Sequence, residues 1–208
     1  DHEKILLGMI NKYLQHVICE IVRPKKGVYI AFDGPVPRAK MMQQRFRRFK
    51  GPQEKAYIDK LKEKYGIEKE YEFNTSSNFS PGTAFMDKVA KNIAAFIKKG
   101  ELYKHEKISI ILSDSLVPGE GEHKFMPEIR KLVKTDPDAN VVIQSPDADL
   151  IVLSISTHKK NIYILRNPDR DDADLFKQYN GEEFIYLNIN KTKEHFLEAL
   201  TQEYDGDI

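Results

Sequence analysis

The stretch GVYIAFDG (27–34) decides how the rest of this sequence is interpreted. Its first six residues form a short apolar run rich in β-forming side chains, which predicts a buried strand. The residues Asp33, Gly34 and Pro35 then predict a turn. An acidic side chain is therefore expected directly at the carboxyl end of a buried strand.

Regular elements alternate on both sides of this strand. Residues 3–22 have apolar side chains at helical spacing, with Pro24 as a stop. The same patterns predict further strands at 108–112, 141–144, 162–165 and 184–189, and further helices at 39–49, 53–65, 84–97, 121–134, 147–156 and 191–203. Loops are predicted at 72–82 and 166–182. Alternating strands and helices predict an α/β fold with a mostly parallel sheet flanked by helices.

Composition predicts a globular protein. The 208 residues are 40% hydrophobic and 31% charged, which fits one domain over residues 1–208. No uninterrupted apolar run reaches the roughly 18 residues of a membrane span, and the first residues do not resemble a signal peptide. We therefore expect no membrane partner and a cytoplasmic or nuclear, not secreted, protein. Cys19 is the only cysteine, which excludes intrachain disulfides and thiolate zinc sites; we expect it to be a core residue.

Acidic residues follow three of the predicted strands. Asp33 follows the first, Glu120 and Glu122 the second, and Asp147 and Asp149 the third. Ligands bind at the carboxyl ends of the strands in open parallel sheets, so we expect these five carboxylates to converge. Clustered carboxylates repel one another unless cations compensate them, and oxygen ligands suit Mg²⁺ or Mn²⁺. A pair of such ions about 3.5–4 Å apart can cleave phosphodiesters.

A plainer interpretation of the same acids remains open. Asp and Glu are favoured in the first turn of a helix, where they meet unpaired N–H groups and the positive end of the helix dipole. Each acid can therefore be a helix cap with no metal. The pattern of the sequence does not decide between capping and metal binding.

A basic segment follows the first predicted strand. The net charge is only +1, but residues 38–50 contain six basic side chains and no acid, whereas residues 169–174 contain four acids. In a helix, Lys40, Gln44, Arg47 and Arg48 share one face. That face is suited to a terminal phosphate, because Arg offers paired donors and Lys a point charge. A solvated basic face without a ligand explains the pattern equally well.

Four motifs resemble those of the Xrn family of 5′→3′ exoribonucleases. They are FDGPVPRAKMMQQRFRRF (32–49), SPGTAFM (80–86), VPGEGEHKFM (117–126) and SPDADLIVLSISTH (145–158). Their order and approximate spacing also agree with that family. The resemblance implies a Rossmann-like nuclease fold related to flap and PIN-type nucleases, and Mg²⁺-dependent hydrolysis of RNA that carries a 5′ monophosphate.

The resemblance also assigns roles to residues of this chain. It implies that Asp33, Glu120, Glu122, Asp147 and Asp149 are catalytic metal ligands. It implies that the 5′ phosphate is bound by Lys40, Gln44, Arg47 and Arg48. The glycines of PGEGEH are expected to shape a turn together with His123, with His123 not itself a ligand.

The chain also departs from the family pattern. The family's first strand, with a further metal-binding Asp, is not found before the first helix, and its GNDFLP-like motif is not found after residues 191–203. We therefore expect the chain to be part of a larger and divergent enzyme. Two other functions stay open: a flap-type structure-specific nuclease, and a non-catalytic RNA-binding module on the same fold.

Overall fold

The computed structural model describes residues 2–68, 79–105, 107–168 and 182–204. The side chains of Arg47, Arg48 and residues 202–204 lie outside this description, as do the acidic residues 169–174. Most of each predicted loop, 72–82 and 166–182, also lies outside the described residues.

The chain divides into two compact units. The first comprises Asp1–Lys124 and the second Phe125–Ile208, so the boundary falls inside one helix, Gly121–Thr135. Each unit is built around its own strands and its own apolar core.

The first unit contains two parallel strands and the helices that pack on them. Its elements are α1 (His2–Gln15), a π-helix (His16–Val22), β1 (Gly27–Ala31), α2 (Arg38–Lys64), α3 (Ala84–Lys98), β2 (Ser109–Ser113) and the start of α4 (Gly121–Thr135). Strand β1 pairs with β2 in parallel, from Gly27 opposite Ser109 to Ala31 opposite Ser113. The predicted strand at 27–32 and the helix at 84–97 are confirmed to within a residue at each end.

Helix α3 supplies most of the buried apolar side chains of this unit, and α1 packs partly buried side chains against them. Phe85, Val89 and Ile93 of α3 are buried, and apolar side chains of α1, among them Leu6 and Ile10, pack against them. By length and composition alone, His2–Val22 is apolar enough to cross a membrane. The expectation that no segment qualifies was therefore too strong. One such helix is weak evidence of a membrane span, because mostly buried core helices and signal sequences near an N-terminus pass the same test, and only 11% of the apolar window of this helix is buried.

The end of the first helical region is widened. The π-helix closes with the Arg23 N–H donating to the Ile18 carbonyl at 2.9 Å, and Arg23 takes a positive φ of 50°. Cys19, in this π-helix, donates from its thiol to the Leu102 carbonyl at 3.1 Å. Burial raises the pKa of the Cys19 thiol, and the neighbouring charge of Glu20 adds to that shift. Cys19 is thus half-buried, less enclosed than the sequence predicts.

Helix α2 is one continuous helix where the sequence predicts two. It runs from Arg38 to Lys64 through Pro52. Proline lacks the N–H that a helix interior needs, which is why a break is predicted near this position. The ring nevertheless fixes φ in the helical range, so the helix continues past the missing hydrogen bond.

The second unit contains a three-stranded sheet. Its elements are the rest of α4, then β3 (Val141–Gln144), α5 (Asp149–Ser156), β4 (Ile162–Arg166), β5 (Ile185–Asn188) and α6 (Ile189–Tyr204). Strand β4 is central; it pairs with β3 in parallel and with β5 in antiparallel orientation. The core lies between helices and sheet, with Leu150, Ile162 and Ile164 almost fully buried.

The α/β class predicted from the sequence is confirmed. Among the described residues, two of the three strand pairs are parallel. Hydrogen bonding nevertheless joins the strands in two separate sheets, β1–β2 and β3–β4–β5. The pairing therefore does not establish the Rossmann-like arrangement that the resemblance implies.

Candidate functional site

The two chain segments that leave β1 and β2 stay hydrogen-bonded to each other. Beyond the strands, the Phe32 N–H donates to the Ser113 carbonyl at 2.9 Å, and the Gly34 N–H donates to the Gly119 carbonyl at 2.8 Å. The Gly119 N–H in turn donates to the Pro35 carbonyl at 2.9 Å. The residues after Gly34 and before Glu120 are thereby fixed against each other.

This close approach depends on two glycines. A Cβ atom at Gly34 would lie 1.8 Å from the carbonyl oxygen of Val117, far inside contact distance. Gly119 has a φ of 110°, in the region that side-chain-bearing residues avoid. The expectation that glycines of the PGEGEH segment shape a turn is confirmed at Gly119.

Asp33 lies where the sequence predicts, just past β1. Its Oδ1 accepts a hydrogen bond from the Gly121 N–H at 2.7 Å, so it caps the first turn of α4 from another segment of the chain. The capping interpretation is therefore correct for one oxygen of Asp33. A carboxylate has two oxygens, so capping by Oδ1 does not prevent Asp33 from also binding a cation.

Glu120 and Glu122 lie together at the beginning of α4, and His123 lies beside them. One ligand atom from each of these three residues falls within 4.8 Å of the others. The imidazole Nε2 of His123 is 3.6 Å from an oxygen of each glutamate. The glutamate side chains are mostly buried, 17% and 15% exposed, whereas His123 is exposed. The sequence predicts the two glutamates, but it does not predict His123 as a possible ligand.

The basic helix reaches this cluster. The Nζ of Lys40 in α2 is 2.9 Å from the Oε1 of Glu120, and Lys40 is 40% exposed. Gln44 lies one turn further along α2 and is half-buried. Arg47 and Arg48 belong to the same helix, but their side chains lie outside the description. One of the four predicted phosphate-binding residues is thus in direct contact with one of the predicted metal ligands.

A further lysine, Lys124, contacts both segments that follow β1 and β2. The Nζ of Lys124 donates to the Phe32 carbonyl at 2.6 Å and to the Asp114 carbonyl at 2.7 Å. Burial lowers the pKa of Lys124, while the charges of Asp114 and Asp33 act in the opposite direction. Lys124 therefore bridges the segments that follow β1 and β2.

An open cavity of about 400 Å³ adjoins Asp33. Apart from Asp33, its lining is apolar, and it includes Ile10, Phe79, Met86 and Val89. Asp33 is therefore the charged residue in the described lining of this cavity. The apolar residues around it cannot hydrogen-bond its carboxylate.

The remaining two predicted acids lie together in the second unit. The carboxylates of Asp147 and Asp149 come within 4.8 Å of each other, and both residues are exposed. Asp147 Oδ1 accepts from the Asp149 N–H at 3.0 Å, at the first turn of α5, while the Asp147 N–H donates to Ser145 Oγ at 3.2 Å. From the end of β4, Arg166 donates to the Pro146 carbonyl at 3.3 Å. Convergence of all five acids stays a prediction.

The donor atoms fit a hard divalent cation. Carboxylate oxygens from Glu120 and Glu122 come within 4.8 Å of each other, and a cation bound by both carboxylates would offset their mutual repulsion. Oxygen-rich ligand sets suit Mg²⁺ and Mn²⁺. These acidic residues can therefore hold a metal ion.

Comparison with known proteins identifies the family. A family model described as XRN 5′-3′ exonuclease N-terminus matches residues 1–168. The chain belongs to this family. The match includes Asp33, Glu120, Glu122, Asp147 and Asp149, and it confirms the resemblance described above.

Individual relatives support the same assignment. The 5′-3′ exoribonuclease 1 of Saccharomyces cerevisiae is 41% identical over 204 residues, 93% of this chain and 13% of that protein. The 5′-3′ exoribonuclease 2 of Emericella nidulans is 38% identical over 209 residues, 89% of this chain and 19% of its own length. A Drosophila melanogaster homolog of exoribonuclease 2 is 42% identical over 163 residues, 70% of this chain and 18% of that protein. The chain thus spans about a fifth, or less, of these curated relatives.

Analysis of the sequence did not single out Lys124, although a signal is present. Lys124 lies in the first turn of α4, where the positive end of the helix dipole disfavours a cation. A lysine at such a position indicates that other groups hold its ammonium. In this member of the XRN family those groups are two backbone carbonyls.

Proposed function

We propose that the full-length protein containing this chain is a 5′→3′ exoribonuclease that hydrolyses RNA with a 5′ monophosphate in RNA decay or processing. Family membership and relatives named 5′-3′ exoribonuclease support this activity. The single observation that carries the proposal is the contact between Lys40 and Glu120. It connects the basic helix to the acidic cluster. An enzyme that recognises the 5′ end of an RNA and cuts beside it needs its phosphate-binding and metal-binding residues to be this close.

The two charges are brought together by different parts of the chain. Lys40 lies in the first turn of α2 and Glu120 directly precedes α4, yet Nζ and Oε1 are 2.9 Å apart. A phosphate bound by Lys40 would therefore lie within a few ångströms of the carboxylates. We infer that Lys40, with Gln44, Arg47 and Arg48, selects a monophosphate and excludes the bulkier triphosphate or cap.

The acids of this chain have the complementary role. We propose that Asp33, Glu120, Glu122, Asp147 and Asp149 hold Mg²⁺ or Mn²⁺, as a pair of ions. The chemistry that such ions supply when bound is activation of water and stabilisation of charge on the leaving oxygen. The Gly121 N–H orients Asp33 for this role, and the low exposure of Glu120 keeps its carboxylate in a fixed position.

We further propose that the complete nuclease domain has a Rossmann-like, PIN-type arrangement. The two parallel strand pairs and the family membership support this. An experimental structure of the full-length protein tests it directly.

The test of function is turnover by the full-length protein in Mg²⁺, with single-stranded RNAs that differ only in the 5′ group. We expect cleavage of 5′-monophosphate RNA at least roughly tenfold faster than 5′-hydroxyl or 5′-triphosphate RNA, because phosphate contacts position the substrate. Glu120→Gln is expected to reduce kcat by about a hundredfold or more, because loss of a metal ligand weakens stabilisation of the transition state. Lys40→Ala should keep some turnover and lose most of the preference for the monophosphate.

A surface substitution provides the matched control. Lys91→Ala removes the same type of side chain from the exposed face of α3 and should leave both turnover and 5′ preference unchanged. Equal cleavage of monophosphate and triphosphate RNA by the parent would contradict the phosphate pocket. Salt-sensitive binding without turnover would indicate an RNA-binding module instead, and preference for a DNA flap would indicate a structure-specific nuclease.

A further inference from the structure

The proposed function assigns no role to Lys124, yet this residue makes two contacts beside the acidic cluster. Its Nζ donates to two carbonyl oxygens, that of Phe32 at 2.6 Å and that of Asp114 at 2.7 Å. Both distances are short for N–H···O bonds, as expected when the donor is charged. The two carbonyls belong to segments 82 residues apart in the sequence, and Lys124 joins them.

The positions of the two acceptors matter for the acidic cluster. Phe32 directly precedes Asp33, and Asp114 begins the turn that leads to Glu120. Lys124 itself is two residues beyond Glu122, in the first turn of α4. One ammonium group therefore connects the residue that precedes Asp33 to the start of the segment that leads to Glu120 and Glu122.

The location of this cation is otherwise unfavourable. The first turn of a helix carries partial positive charge, and Lys124 is removed from much of the solvent. The carbonyls of Phe32 and Asp114 compensate for this cost only if the two segments are held at a fixed separation. A fixed separation is what ligands from different segments need in order to bind one ion.

We propose that Lys124 is a positioning residue that sets Asp33 in register with Glu120 and Glu122 through the carbonyls of Phe32 and Asp114. This proposal rests on the proposed function, because it assigns those acids to a metal ion. Lys124 touches neither substrate nor metal in this role. It acts through the backbone to which the ligands are attached.

Two physical roles of Lys124 predict opposite changes in metal affinity. Its positive charge acts on Asp33, so a purely electrostatic role predicts that removal of the charge tightens cation binding. A positioning role predicts that removal of the two hydrogen bonds weakens binding, by about 10–100-fold for groups that orient metal ligands. The direction of the change therefore separates them.

The experiment measures Mn²⁺ binding to the full-length protein by electron paramagnetic resonance, without RNA. We expect Lys124→Met to raise the Kd of Mn²⁺ by roughly tenfold or more. Lys124→Gln keeps a donor without the charge, and its Kd should fall between those of the parent and the Met variant. In steady-state kinetics kcat should fall while the KM for RNA stays near the parent value.

Lys159→Met is the matched control. Lys159 also donates to two carbonyls, but both lie before the amino end of β3 and not at the carboxyl end of a strand, so its loss should leave the Kd of Mn²⁺ unchanged. Unchanged or tighter Mn²⁺ binding in Lys124→Met overturns the proposal. If that variant does not fold, tighter binding in Lys124→Gln overturns it and weaker binding supports it. A parent that cleaves no RNA contradicts the proposed function, yet weaker Mn²⁺ binding in Lys124→Met still supports the positioning role.

Discussion

Two lysines of this chain make the same kind of contact in different surroundings. Lys124 bridges the Phe32 and Asp114 carbonyls, just beyond the carboxyl ends of β1 and β2. Lys159 bridges the Pro137 and Ala139 carbonyls at 2.5 and 2.6 Å, just before the amino end of β3. Each ammonium thus hydrogen-bonds to loop residues of its own unit, next to the beginning or end of a strand.

The difference between them lies in burial and in neighbouring charge. Lys159 is only 4% exposed, and the chain around it turns through positive φ at His158 and Asn161. Lys124 is half-buried and feels the charges of Asp114 and Asp33. In the second unit, this kind of contact stabilises a loop at the amino end of β3. In the first unit, it lies beyond the carboxyl ends of β1 and β2, among residues proposed to bind a metal.

The largest expected loss of stability comes from a substitution that disrupts the region around Lys124. Gly34→Ala would place a Cβ 1.8 Å from the Val117 carbonyl oxygen and 2.8 Å from its carbon, so the two segments must separate. Because the clash is with backbone, we expect a loss of about 3 kcal/mol in stability, at the upper end for overpacking. Hydrogen exchange and mass spectrometry on the full-length protein should then show faster exchange in peptides that cover 27–34 and 109–121.

Gly8→Ala is the control for that change. Gly8 lies in α1 with nothing within 4 Å of the added atom, and alanine in an exposed helix is favoured by about 1 kcal/mol. Its exchange should be equal to or slower than that of the parent. Unchanged exchange in Gly34→Ala would mean that the close approach at Val117 does not persist in solution.

The next largest effect concerns Lys159. Lys159→Met removes the buried charged donor that the Pro137 and Ala139 carbonyls share, and a hydrogen bond to a charged group contributes about 1.5–3 kcal/mol. We expect a loss of about 2 kcal/mol for this reason. Faster exchange should be confined to peptides covering 136–144 and 157–166, as measured on the full-length protein.

The same substitution at Lys124 sharpens the comparison. Since Lys124 is half-buried, water can replace part of what the ammonium supplied, and Lys124→Met should cost less stability than Lys159→Met. Metal binding should show the reverse order. If Lys159→Met altered Mn²⁺ binding as much as Lys124→Met, the distinction between the two regions would be wrong.

Most of the elements could be predicted from local patterns. Helical spacing of apolar residues locates α1 and α3, and β-rich runs locate β1 and β3, because both signals depend on near neighbours in the sequence. The pairing of strands depends on distant residues, so the division into two sheets could not be predicted. The sequence predicts a break near Pro52, but α2 continues through it. A proline removes one helical hydrogen bond, and whether the helix then ends is not decided by local sequence.

The candidate site was predicted in the same uneven way. Asp33 and Glu120 could be placed near each other because adjacent parallel strands bring their carboxyl ends together. The sequence predicts that the basic face lies beside the acids, but not the specific contact between Lys40 and Glu120, which depends on the path of the chain between β1 and α2. A lysine in the first turn of a helix indicates that other groups hold its ammonium, but the sequence does not identify them, because the partners of Lys124 are backbone carbonyls, which every residue possesses.

The smallest expected effect tests whether charge alone makes a lysine important here. Lys91 meets Asp87 at 2.6 Å on α3, but the two side chains are 75% and 48% exposed. Exposed pairs at this spacing contribute about 0.3 kcal/mol, because water screens them and ordering two long side chains costs entropy. Lys91→Ala should therefore change the unfolding free energy by no more than that amount, and by less at high salt, in denaturant titrations of the full-length protein. A loss as large as that of Lys159→Met would mean that the ammonium charge, and not its burial against two carbonyls, determines what these lysines contribute.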